Sequence, residues 1–157
     1  MQRFKITRSG YDKMKAELEH LMNVERPSIS KAIGEAIELG DLSENAEYTS
    51  AKEKQVLVEN KIALLTDRLS RADIVDLHLL EGTDSIDFGA TVTLIDEDTE
   101  RKVKYQLVSE FESDIEDNKL SIESPLGKAL VGKKIDDEIE LKIPTGIRTY
   151  LIEDIQY

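Results

Sequence analysis

Along the middle of the chain, Tyr48, Ala51, Gln55, Val58, Ile62, Leu65, Leu69 and Ala72 follow one another at alternating steps of three and four. All are apolar or aromatic except Gln55. A seam of this kind predicts a long helix with one buried stripe and a wet remainder. Upstream, Tyr11, Met14, Leu18 and Leu21 hold a similar spacing, and Ile29, Ile33 and Ile37 resume it after an interruption that contains Pro27. Proline removes a backbone donor and clashes one turn back, so a kink or register shift is expected there. Thr7 or Ser9 is the expected cap of the first helix, and Gly40 suits the left-handed residue that stops it. A helix over residues 9–39 would run about 45 Å at ~1.5 Å per residue. The connection to the next helix is short, so the two should be antiparallel neighbours.

From about Ile86 the period falls to two. Ala90, Val92 and Leu94 alternate with Thr91 and Thr93, Val103, Tyr105 and Leu107 alternate with Lys104 and Gln106, and Ile139, Leu141 and Ile143 repeat the pattern. These predict half-buried strands of an antiparallel sheet. Within this half, Ser124 and Pro125 read as the cap and first turn of a short helix. The expected fold class is α+β, with a helical hairpin over residues 1–75, a linker over 76–85 and a small β-rich domain over 86–157.

Composition narrows the function classes. The chain has 157 residues, no cysteine and a formal net charge of −12. Disulfides and thiolate zinc sites are excluded. The longest apolar run, Ile62 to Leu65, is far short of the roughly 20 residues of a membrane helix. The N-terminal stretch MQRFKITRSG has no apolar h-region, so no secretory signal is expected and a cytoplasmic protein is the simplest fit. Residues 77–157 hold 9 basic against 19 acidic side chains. A free-standing nucleic-acid binder normally shows a basic face, so any contact with DNA or RNA should be made through a partner.

The motif GKALVGKK, Gly127 to Lys134, nearly spells a phosphate-binding loop, but Lys134 stands where Ser or Thr would bind magnesium and no buried strand precedes it. A short helix explains it better. His20 and His78 lack a partner at ligand spacing and read as surface residues. DEDTER, Asp96 to Arg101, reads as a solvated hairpin turn rather than a calcium loop.

The stretch ELGDLSENAEY, residues 38–48, is the exception. Between Lys31 and Lys52 lie five acidic and no basic residues, with Asp41 and Glu44 around the helix break. Asp-x-x-Glu at a helix start is also the capping-box pattern, stabilised by the helix dipole by roughly 0.3–1 kcal/mol, and on spacing alone that reading is the stronger. Against it, Ser43 is a competing cap, and Leu42 would find only Glu47 at its staple position. Chemically, carboxylates with ordinary pKa values near ~4 are ionised at neutral pH and are poor general acids. They are good hard-oxygen ligands for Mg²⁺, and two of them make part of a coordination sphere that another protein would have to complete.

GDLSENAEY followed by TSAKEKQ, then FGATVTL, SPLGKALVGKK and DDEIELKIP, resembles the bacterial Gre transcript-cleavage factors, the GreA type in particular, in order along nearly the whole chain. The resemblance implies an antiparallel coiled-coil hairpin followed by a domain like the FK506-binding fold. It implies a cytoplasmic, non-enzymatic transcription elongation factor that enters the secondary channel of RNA polymerase and stimulates the polymerase's own cleavage of backtracked RNA. Asp41 and Glu44 match the family's tip carboxylates, which help hold a Mg²⁺ shared with the polymerase near the nascent RNA 3′ end. Gly40, Leu42, Ser43, Asn45 and Tyr48 are then expected to support the tip, with Lys52 as a candidate RNA contact. No stably bound cofactor is expected on the chain alone, and a monomer is. Relatives of this type usually carry a basic residue just before the tip, where this chain has Ile37 and Leu39. GreA-like release of short fragments is the expected behaviour.

Three rivals differ in what they require. A channel-binding inhibitor would alter the tip pair. A prolyl isomerase rests on fold analogy alone, and the chain has no Trp and few aromatics to line a proline pocket. A hairpin chaperone would need exposed apolar groups at its tip and would be indifferent to Asp41→Ala.

Overall fold

The structure, a computed structural model, describes residues 2–157. Strand β1 (Phe4–Thr7) leads directly into helix α1 (Arg8–His20). Thr7 is the cap of α1: its hydroxyl accepts the amide of Gly10 at 3.1 Å. A π turn, Leu21–Glu25, then joins α1 to α2 (Arg26–Glu38), whose first turn holds Pro27. The register shift expected at the proline is therefore taken up just before it. A widened turn has no need of the i→i−4 bond that proline cannot make, and it moves the ring away from the preceding carbonyl.

Helix α3 (Ala46–Arg71) follows. Seven of the eight seam residues lie in it, none of them fully exposed, with Ala51, Val58, Ile62 and Leu65 buried; the eighth, Ala72, begins the strand that follows. From the other side Met14, Leu21 and Ala36 are buried. Ile37, expected in this stripe, is 50% exposed, and Ala36 takes its place at 2%. From Ile29 and Ile33 a step of three stays closer to the 3.6-residue repeat than another step of four. The cross-links fix the direction of packing. Asn45 bonds to Ala36, Arg26 forks onto Glu59 at 2.8 and 2.9 Å, and Lys61 pairs with Glu17 at 2.9 Å. As one partner's number rises the other's falls, so the helices are antiparallel.

By internal packing the chain divides into two units, Tyr11–Ala72 with Gln2, and Arg3–Gly10 with Asp73–Tyr157. In the second unit β1 pairs with β2 (Ala72–Val75) in a two-stranded sheet. Arg3 binds Asp73 through Nε at 2.8 Å and Nη2 at 2.6 Å, which lowers the carboxyl's pKa. Residues 76–85, expected as a linker, carry a 3-10 turn at Leu77–Leu80 that Asp76 caps.

Five further strands form one sheet in the order β5-β4-β3-β7-β6: β3 (Thr91–Asp96), β4 (Lys102–Val108), β5 (Lys119–Ser121), β6 (Glu138–Ile143) and β7 (Gly146–Gln156). All neighbours are antiparallel except β4 and β5, which run parallel. The sheet is thus mixed at one edge, where a wholly antiparallel one was expected. Val92 and Leu94 of β3, Leu107, Leu120, Ile139 and Ile152 form its core with Leu130 of the short helix α4 (Pro125–Leu130). Ser124 caps α4, accepting the amide of Gly127 at 3.1 Å. A Cβ on Gly127 would lie 2.2 Å from the Ser121 carbonyl, so this glycine lets α4 approach β5. Gly132, at φ +84°, ends the segment, so both glycines of GKALVGKK have structural reasons.

Glu112 ties the first turn of α1 to the sheet unit. Its carboxylate accepts the Thr7 amide at 3.2 Å, the Thr7 hydroxyl, and the Ser109 amide at 3.2 Å, while Phe111 meets Phe4 edge-on at 4.9 Å. Thr7 and Ser109 are 4% and 5% exposed. Glu112→Ala should leave these donors unpaired and lower stability by about 1–3 kcal/mol, whereas Glu112→Gln should lose less. Thermal unfolding of the three proteins side by side measures the difference.

Candidate functional site

The connection between α2 and α3 is built by four residues with separate tasks. Gly40 ends α2 at φ +115°, a conformation that side chains rarely adopt, and its amide reaches the Ile37 carbonyl at 3.3 Å. Asp41 then closes a tight turn on Ser43: its Oδ1 accepts the Ser43 amide at 3.0 Å and the Ser43 hydroxyl at 2.8 Å. Asn45 caps α3, accepting the Tyr48 amide on its side-chain oxygen at 3.0 Å. The same side chain donates from Nδ2 to the Ala36 carbonyl of α2 at 2.6 Å.

The helix cap is therefore Asn45, neither Asp41 nor Ser43. With the cap there, Glu44 lies before the helix and Asp41 outside it, so the two carboxylates are not a capping box. Both are exposed, and both line one shallow concavity of about 370 Å³ with Leu39, Asn45, Ala46 and Glu47. Among the described residues, no hydrogen bond or ion pair holds the Glu44 carboxylate. Nor do any three His, Cys, Asp or Glu side chains among the described residues form a group able to hold a metal ion. Two exposed hard-oxygen ligands on one surface suit a magnesium site only in part.

The supporting residues divide. Tyr48 is half-buried at the head of the α3 seam, and Asn45 is half-buried beneath the turn. Leu42 is 43% exposed and packs into no core. Lys52 is exposed, with its ammonium 2.9 Å from the Gln55 side chain, so the polar exception in the seam has a partner. Ile37 and Leu39, the positions without a basic residue, are both exposed. The double use of Asn45 was not visible in the sequence, where Asp41 and Ser43 competed for the capping role. An Asn three residues before Tyr48, the first residue of the seam, is the signal that finds its capping role.

Other candidates resolve as structure. His78 and His20 are exposed beside Glu81 and Glu25, and the Glu81 carboxylate raises the pKa of His78. DEDTER does form the β3–β4 turn, but Asp96 within it is buried rather than solvated. Burial pushes its carboxyl up, yet the amides of Asp98 and Thr99 and the guanidinium of Arg148 at 2.7 Å outweigh this and leave it below the usual range.

Two family models match, and both describe transcription elongation factors. Residues 4–74 fit the model described as "Transcription elongation factor, N-terminal", and residues 81–157 fit "Transcription elongation factor, GreA/GreB, C-term". The chain belongs to the GreA/GreB family of transcription elongation factors. It is 50% identical over 155 residues to transcription elongation factor GreA of Rickettsia canadensis (strain McKiel), covering 99% of this chain and 95% of that one. It is equally 50% identical over 157 residues to GreA of Paracoccus denitrificans (strain Pd 1222), covering 100% and 99%. Among solved structures, the GreA factor homolog 1 (Gfh1) protein of Thermus thermophilus is 30% identical, with 99% of this chain and 100% of that one covered, at a TM-score of 0.45.

The Ser43 bonds have a measurable consequence. The Ser43 hydroxyl, then its amide, lower the Asp41 pKa below the ordinary carboxylate value. A depressed folded-state pKa means the turn's support from Asp41 is complete above the ordinary value and fades as pH falls through the lowered one. Ser43→Ala should move the Asp41 titration midpoint up toward ~3.9, read by carboxyl ¹³C NMR.

Proposed function

We propose that this elongation factor acts on RNA polymerase by offering Asp41 and Glu44 to the polymerase's own active centre, through the secondary channel, when the RNA 3′ end has been extruded by backtracking. The observation that carries the reading is the shared exposure of the pair. Asp41 and Glu44 share one exposed concavity and neither caps a helix.

The chain supplies positioned negative charge. Asp41 is held by Ser43 and stays ionised well below neutral pH, so it works as a ligand and hydrogen-bond acceptor, not as an acid. Glu44 is unheld and can turn toward whatever the host presents. Mg²⁺ bound between these carboxylates and the polymerase's own would supply Lewis-acid stabilisation of charge developing on the scissile phosphate. Asp41 and Glu44 also stand to orient the attacking water by accepting its hydrogen bonds. Lys52, exposed nearly two turns into α3, would be the contact for a phosphate of the extruded RNA. Hydrolysis belongs to the polymerase on this reading, and the factor acts in the cytoplasm as a monomer without a stably bound cofactor.

One observation favours a second reading. Ile37, Leu39 and Leu42 are 50%, 67% and 43% exposed around the turn, as a client-clamping chaperone would require. A stalled, backtracked elongation complex with Mg²⁺ separates the two. Added protein should shorten the RNA from its 3′ side and permit restart, and Asp41→Ala or Glu44→Ala should slow stimulated cleavage by roughly a hundredfold or more while channel occupancy persists. Unchanged cleavage with both variants would point to the chaperone.

A further inference from the structure

The two ends of the acidic loop are closed by a single side chain. Asn45 uses its carbonyl oxygen for the Tyr48 amide and its NH₂ for the Ala36 carbonyl, so both faces of one planar amide are committed. Ser, Thr or Asp would cap α3 about as well. None would also span to Ala36: the hydroxyls are too short, and a carboxylate has no proton to donate. Ala36 is 2% exposed, so the bond to its carbonyl lies in a largely dry place, where a hydrogen bond is stronger and its loss more costly. Ala36 also accepts the Leu39 amide at 3.1 Å, which makes its carbonyl the common anchor for the start and the end of the loop.

Within that closed loop the two carboxylates are held unequally. Asp41 has Ser43, whereas Glu44 has no partner among the described residues and immediately precedes Asn45. Its backbone position is set by the residue that follows. We infer that Asn45 is a positioning residue for cleavage stimulation: its amide clasp across the α2–α3 junction, rather than its capping of α3, holds Glu44 where it can work with Asp41. The inference rests on the reading that these carboxylates act in the polymerase's active centre.

Asn45→Ser separates the two roles, because serine keeps a cap and adds no charge while the reach to Ala36 is lost. With the full-length protein and backtracked complexes, Asn45→Ser should keep its helical circular dichroism and stay folded at the assay temperature, its thermal midpoint lowered by the one lost bond. The factor concentration giving half-maximal cleavage should stay unchanged. The cleavage rate at saturating factor should fall roughly ten- to a hundredfold, and the Mg²⁺ concentration for half-maximal rate should rise. Amide ¹⁵N relaxation of the free protein should show residues 41–44 loosened. A saturating rate equal to wild type, a defect confined to the half-maximal concentration, or unaltered relaxation would each overturn the clasp. Asp41→Ala run in parallel distinguishes the failures. If it is inactive while Asn45→Ser is fully active, only the clasp falls. If it too is fully active, the carboxylate reading itself falls.

Discussion

The apolar seam of α3 is the constraint on which the first unit depends. Ala51, Val58, Ile62 and Leu65 of α3 are buried, as are Met14, Leu21 and Ala36 of the segment that pairs with it. Most of a helix's stability in a protein comes from packing its apolar face, so α3 depends on such a partner. Once the seam sets the two helices antiparallel, the chain must reverse between Glu38 and Ala46, and the junction inherits its geometry from the packing. The acidic residues are thus displayed by hydrophobic contacts they take no part in.

Charge is handled differently in the two units. In the sheet unit, buried or half-buried carboxylates are answered by donors. Glu112 takes two amides and a hydroxyl, and Asp96 takes two amides and Arg148. At the α2–α3 junction the carboxylates are left facing water with at most a serine for company. Burying an unpaired charge is expensive and exposing one is nearly free, so a fold that keeps two acids unanswered keeps them where solvent, or a partner, can reach them.

Much of this was legible along the chain. From Tyr48 to Leu69 the α3 seam survived position by position, including half-buried Gln55, because steps of three and four admit only one geometry, while Ala72 falls just past the helix in β2. Ser124 and Pro125 marked α4, and Gly40 marked the end of α2, since each residue type has few alternative uses in such a place. The losses have physical causes. Strand β5 spans three residues, too few to show a period, and it pairs in parallel at the edge. Strand β7 escaped because an extra residue at Glu153, opposite Thr93 and Leu94, breaks its alternation and leaves core-packed Ile152 and Ile155 three apart instead of two. Strand β1 lies against β2, at the opposite end of a helical segment, and no local pattern foretells such a partner. At the site, the acids were found from charge and family resemblance, while the clasp of Asn45 depended on a carbonyl nine residues away.

The π turn at Leu21–Glu25 carries an implication for how the chain can change length. It absorbs close to one surplus residue, and each residue of an α-helix is worth about 100° of rotation. Removing one amino acid from that turn would therefore let it close into ordinary α-helix while Ala36 keeps its face. Removing one from the regular turns of α2 would instead rotate everything beyond it by about 100°, swing Ala36 off the α3 face and carry its carbonyl out of reach of the loop. The same deletion is thus absorbed in one stretch and disarms the acids by phase alone in the next.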